Sequence, residues 1–143
     1  MLRRLVDVVL TGVPFAIYKA GTGSVLLPLG YPILGTLFMI WGVVDLLMNL
    51  INLWLPEKVA CCSLAGFGRL FSRKPGDWNE RMLALDMFFS FTIVAAMLWF
   101  GGLALLDPRL GKVWDLAVVL NVMGAGATRV YESMRAKSTT EDA

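Results

Sequence analysis

Apolar residues recur along this chain in four blocks, parted by short polar, proline-rich or glycine-rich breaks. In the first block Leu2, Leu5, Val6, Val9, Leu10 and Val13 fall at i, i+3, i+4, i+7, i+8 and i+11, with Arg3, Arg4, Asp7 and Thr11 on the other side. That period predicts an amphipathic helix over residues 2–13, bent or ended near Pro14. It is expected to lie in the membrane interface, apolar face down, with its arginines toward lipid headgroups. A signal peptide is the competing reading of a basic start before an apolar stretch, but Asp7 interrupts that stretch. Gly21-Thr22-Gly23-Ser24 then reads as a flexible break, without the lysine and spacing of a phosphate loop.

The remaining blocks are long enough to span a bilayer. Pro28, Gly30 and Pro32 crowd the start of the second, so its regular helix is placed over 33–55, ahead of Pro56. Such a helix is about 34 Å long, against a hydrocarbon core of about 30 Å. Tyr31 and Trp54 stand near its ends, where aromatic anchors are favoured, and Trp41 lies inside. Further spans are expected over 82–106, ended by Asp107-Pro108, and over 112–131, the least hydrophobic of the three. The few residues between them require the two helices to be antiparallel neighbours.

The polar loop 57–81 separates the first span from the second. Leu64, Phe67, Leu70 and Phe71 predict a short surface helix within it, Pro75-Gly76-Asp77 a turn, and Asp77 or Asn79 a cap. Residues 1–134 are thus one membrane domain, and 135–143 a polar tail expected to be disordered. The expected fold is all-α: three transmembrane helices in a small bundle, preceded by an interfacial helix. The alternative has four transmembrane helices, with residues 5–27 crossing as well.

Composition supports the membrane assignment. The 143 residues are 57% hydrophobic and 17% charged, against about 45–50% and about 25% in soluble domains. A chain this short has too little interior to hide that excess. With no histidine, imidazole-based metal sites, Ser-His and Cys-His pairs and histidine proton relays are excluded within the chain. Cys61 and Cys62 are adjacent, which suits neither a stabilising bridge nor a C-x-x-C redox motif; S-palmitoylation is the functional alternative to two plain border residues. The net charge of +2 is mild, and no basic patch interleaved with aromatics invites nucleic acid.

Basic residues set the expected orientation. With three crossings, Lys58, Arg69, Arg73, Lys74, Arg81, Arg129, Arg135 and Lys137 share one side, and Arg3, Arg4, Lys19, Arg109 and Lys112 the other. Loop 57–81 and the C-terminus are therefore expected to be cytoplasmic, in a bacterial inner (plasma) membrane.

Candidate chemistry lies in polar stripes within the spans. Gly35, Gly42, Asp45, Asn49 and Asn52 follow steps of 7, 3, 4 and 3 along one helical face. An aspartate at the centre of a span costs about 2.5–3.5 kcal/mol, while each large apolar residue returns about 0.3–0.6 kcal/mol, so this face must point into protein or water. Asp86 and Ser90 lie one turn apart in the second span; Asn121, Gly124 and Thr128 share a face of the third. Asp86 and Asp115 are read as first-turn acids favoured by the helix dipole.

Helix packing is the plainer role for all these positions, with conduction of ions or protons and a ligand or pigment site as the alternatives. The expected function is that of a small accessory or structural subunit, packing into a larger membrane complex or homo-oligomer. The alternative is a small ion- or proton-conducting protein using Asp45, Asn49 and Asn52. A lipid-acting enzyme would have to rely on Cys61, Cys62, Asp77 and Glu80 without histidine, so no enzymatic activity and no required cofactor are expected. The expected partners are membrane lipids and other membrane subunits, or copies of the chain itself.

Overall fold

The computed structural model describes residues 5–6, 8–54 and 75–141, and it is helical almost throughout, with no strand among them. A π-helical stretch, Val8–Gly12, leads into α1 (Val13–Leu26). Then come α2 (Pro32–Trp54), α3 (Pro75–Trp99), a 3-10 turn (Gly102–Leu105) and α4 (Pro108–Glu141). Within α2, Pro32–Ile51 is long and apolar enough to cross a membrane, with a mean hydropathy of 1.9. Ala84–Trp99 in α3 is a shorter apolar helix.

Proline and glycine set most of the boundaries. The turn after α1 passes through Gly30 at φ +87°, and α2 starts at Pro32, one residue from its expected start. Gly101, at φ +68°, ends the next helix at Trp99, seven residues before the expected Leu106, because a left-handed residue terminates helical hydrogen bonding. The Asp107 carboxylate accepts from the Arg109 backbone N–H at 2.9 Å, and Pro108 opens α4. Asp107-Pro108, expected only to end a helix, is thus the N-cap and first residue of the next.

Several expectations are overturned at the ends of the elements. Pro75-Gly76-Asp77 is the first turn of α3 and not a separate turn, so Asp77 and Asn79 are inside the helix. The tail from residue 135, expected to be disordered, continues α4 to Glu141. The surface helix expected over residues 64–71, and Cys61 and Cys62, lie outside the described residues.

The largest correction concerns the N-terminal helix. It does not end near Pro14, and Gly21-Thr22-Gly23-Ser24 is no break: both lie within α1. Nor is α1 peripheral. Phe15, Ala16, Tyr18, Lys19, Gly23 and Val25 are buried, and the helix packs against α2, α3 and α4, so it is the axis of the bundle. Glycine is what allows this. A β-carbon on Gly23 would sit 2.6 Å from the Gly35 carbonyl oxygen, and one on Gly42 2.7 Å from that of Ala16. Small residues at Gly12 in the π-helical stretch and at Ala16, Ala20 and Gly23 in α1 thus bring this backbone against Gly35, Gly42 and Asn49 of α2. The other faces of α1 carry Phe15, Tyr18 and Val25 into a core with Ile93, Met97, Leu106, Trp114 and Ala117.

Pro14 explains the π-helical entry. It has no N–H to donate to the carbonyl four residues back, which is Leu10, and its ring crowds that carbonyl. The wider π turn accommodates the ring, and Asn121 Nδ2 of α4 donates to Leu10 O at 3.3 Å. Gly124, one turn on, lies against Leu10: a β-carbon there would meet the Leu10 β-carbon at 2.7 Å. Asn121→Ala should therefore lower thermal stability, by a coupling of about 0.6–1.7 kcal/mol, only while Pro14 is present. In a Pro14→Ala background the same change should cost little, and a double-mutant cycle of melting temperatures checks this. Separately, Gly42→Leu should destabilise the bundle by about 1–3 kcal/mol or more, whereas Gly111→Ala, where a β-carbon meets nothing within 4 Å, should not. Paired thermal melts would expose an error.

Candidate functional site

The expected stripe on α2 does face inward: Gly35, Gly42, Asp45 and Asn49 are all buried. Its neighbour is α1 of the same chain. On α3, Asp86 and Ser90 are buried one turn apart and continue into Ile93 and Met97. On α4, Trp114, Ala117, Asn121 and Gly124 form the matching face. The side chains of Asn52 and Thr128 lie outside the described residues.

One residue that the sequence reading did not single out joins these faces. Lys19, counted there as a flanking charge, is fully buried in α1. Its ammonium bonds Asp45 of α2 and lies 2.5 Å from Asp86 Oδ1 of α3. The side chains of the two aspartates are 2% and 3% exposed, so water contributes almost nothing to any of the three charges. Helical geometry brings them together. Side chains on a helix tilt toward its N-terminus, so the lysine stem reaches back along α1 toward the level of Asp45 on the antiparallel α2. Trp41, one turn before Asp45, places its ring 4.5 Å from the ammonium, where the ring's electron-rich face is attractive to a cation. Trp41 also packs on Phe38 and Phe89, which couples α2 to α3 beside the charges.

Asp86 is therefore not a first-turn acid. The helix begins at Pro75, and the carboxylate is an interior partner of Lys19. Asp115 is not one either, since α4 begins seven residues earlier and Asp115 is exposed. Asn49 turns its amide away from the charges and donates to the Asp45 backbone carbonyl at 2.8 Å. A β-carbon on Gly12 would collide with Asn49, so the asparagine fills the space this glycine leaves. The hydroxyls of Ser90 and Thr22 are buried without a hydrogen-bond partner.

Among the described residues, Lys19, Asp45 and Asp86 make up the cluster. Chemically it can lock three helices in register, or hold and release a proton; no group of three or more metal-ligating side chains occurs among the described residues. A signal for Lys19 was present in the sequence: a lone lysine one helical turn from Ala16 and Gly23, in a segment long enough to pair with α2. No protein-family model, curated protein or solved structure matches the chain.

Removing one partner of a buried ion cluster leaves the others uncompensated. Lys19→Met should cost about 3–5 kcal/mol of stability. Adding Asp45→Asn and Asp86→Asn to Lys19→Met should recover most of that loss. Thermal melts of the single and triple variants check the pair of outcomes, and a triple variant no better than Lys19→Met would contradict the charge argument.

Proposed function

We propose that this chain is an integral membrane protein whose four helical segments all cross the bilayer. In this reading it is a non-enzymatic accessory or structural subunit that docks beside other membrane proteins or further copies of itself. The observation that carries the reading is the inverted distribution of polarity. Ionised groups occupy the centre, while Ile33, Leu37, Ile40, Phe88, Leu116 and Val122 are more than half exposed on the outer faces of α2, α3 and α4. In water such a surface would be an aggregation liability; against lipid it is the expected one.

Depth and charge agree with this. Asp45 is 13 residues from Pro32 and 9 from Trp54, about 20 and 14 Å, which sets the ion cluster near the middle of a hydrocarbon core of about 30 Å. A crossing by α1 moves Arg3 and Arg4 to the side of loop 57–81 and the C-terminus, and Lys19 no longer counts as a flank. Arg109 and Lys112 alone then flank the other end, against ten basic residues on the first. This supports a cytoplasmic placement of both termini and of the loop, in an inner or plasma membrane. Tyr31, Trp99 and Phe100, all exposed near the opposite end, suit its interface.

Conduction of protons or cations is the second reading. One observation favours it: two buried acids from different helices meet at the buried Lys19 ammonium. The stripe once expected to seek a partner is occupied by α1, so docking to other subunits falls to the outer faces. The aromatic face of α3, with Phe88 and Phe91, is the candidate.

Four crossings predict a labelling pattern. In a cysteine-free background, Leu29→Cys and Asp107→Cys should react with a membrane-impermeant reagent only from outside, and Ala143→Cys only from the cytoplasmic side. Labelling of Leu29→Cys from the cytoplasm would remove the first crossing. Release of the protein by alkaline carbonate would remove the membrane reading altogether.

A further inference from the structure

We infer that the outward face of α4 docks a second copy of this chain through the seam Lys112, Asp115, Val119, Val122 and Gly126, with Lys112 of each copy paired to Asp115 of the other. The inference rests on the membrane reading above and names the surface by which further copies attach. The five positions follow steps of 3, 4, 3 and 4 and are all exposed, on the side opposite the inward face of Trp114, Ala117, Asn121 and Gly124. A period of 3.5 residues keeps one stripe turned toward a parallel partner helix along its whole length. Val119 and Val122 are 53% and 67% exposed. A β-carbon on Gly126 would meet nothing within 4 Å, so a second backbone can come close there.

Asp115 makes this face unsuited to lipid. Among the described acids of the spans, Asp45 and Asp86 are buried and Asp115 is not. Its depth follows from its neighbour Trp114. The Trp114 ring lies 5.0 Å from that of Tyr18 and against Gly21, where a β-carbon would meet it at 2.7 Å. Gly21 and Tyr18 stand five and eight residues before the end of α1 at Leu26, about 8 and 12 Å inside. Asp115 is thus well below the headgroups, and its short stem cannot carry the carboxyl group back to them. Acids at such depth are expected to face protein or to pair. Lys112, one turn nearer the outer end, has a stem long enough to reach inward or outward. No ion pair joins these two side chains to each other or to another described residue.

The face is complementary to itself, and that favours a second copy over a foreign helix. Copies inserted in one orientation are related by a two-fold axis along the membrane normal, so their α4 helices run parallel. Asp115 of one copy then packs among Lys112, Asp115 and Val119 of the second, as a knob does in its hole. Two bases and two acids meet without net charge, and each acid finds its cation on the other copy. Below them Val119 and Val122 supply apolar layers, and Gly126 the closest approach. Polar residues at one level of such a seam fix its register. The outer faces of the other helices offer no such selection: within Pro32–Ile51 and Ala84–Trp99 every exposed residue is uncharged.

Oxidative disulfide crosslinking of the full chain in membranes, in a cysteine-free background, tests the seam. Val119→Cys and Val122→Cys should each give crosslinked pairs of this chain, while Leu37→Cys on α2 and Phe88→Cys on α3 should give none. Lys112→Asp leaves four acids at the contact and Asp115→Lys four bases. Each should lower crosslinking through Val122→Cys about tenfold or more, because like charges then face each other. Co-expressing the two charge variants with different tags should restore crosslinking between unlike copies only, and that rescue also shows that both fold. Absence of crosslinks at Val119→Cys and Val122→Cys, or equally strong ones from α2 or α3, would overturn the docking face. A crosslink to a different protein in place of the pair would overturn the second copy as its occupant. Undiminished crosslinking in either charge variant, or no rescue on mixing, would overturn the charge pairing. Carbonate extraction, run beside these, separates the failures: release of the protein overturns the membrane reading, and retention without crosslinks overturns the docking face alone.

Discussion

An ammonium group taken out of water must be neutralised where it stands, and Lys19 is out of water completely. Its two acids come from different helices, so meeting that requirement fixes the rotation and height of α2 and α3 against α1. The stem of Lys19 must pass between them, the Trp41 ring lies beside the charge, and α1 has to be the axis. The small residues follow from the same demand. A charge contact across α1 and α2 can close only if the backbones are near, and Gly23, Gly35 and Gly42 leave the room for it.

The proline at position 14 sets a second, smaller constraint of the same kind. A carbonyl deprived of its helical donor in a dry interior has to find another, and Asn121 supplies it from the last helix. Gly124 lets the two backbones come close enough for that bond. Thus each outer helix holds α1 through its own polar contact: Asp45 on α2, Asp86 on α3, Asn121 on α4.

Much of this was legible in the residues. The inward stripes on the three later helices follow from periodicity, because a helix that is apolar on its other faces has only one side to which Asp45, Asp86 or Asn121 can be assigned. The start of α2 was legible because proline and glycine dominate local backbone choice there. The role of α1 was not. Its glycines, read by soluble-protein habits, suggest a break, and Pro14 a bend or an ending; the break and the ending fail where neighbouring helices supply the missing donor and glycine is a packing device. Lys19 was hidden by the same habit, since a lysine beside an apolar block looks like a flanking charge until its acids are placed opposite it. Asp86 was misassigned because the start of α3 was set too late, at residue 82 and not at Pro75.

The order of these contacts along the chain has a consequence for biosynthesis. Lys19 meets Asp45 26 residues later and Asp86 67 residues later, and the Leu10 carbonyl meets Asn121 at a separation of 111. Made from the N-terminus onward, α1 first emerges with a naked charge and an orphaned carbonyl. A hairpin with α2 settles half of the charge requirement early; the rest waits for α3, and the carbonyl waits for α4. The first helix to be synthesised is therefore the last to be completed, and truncation after α2 or α3 leaves it short of a partner each time.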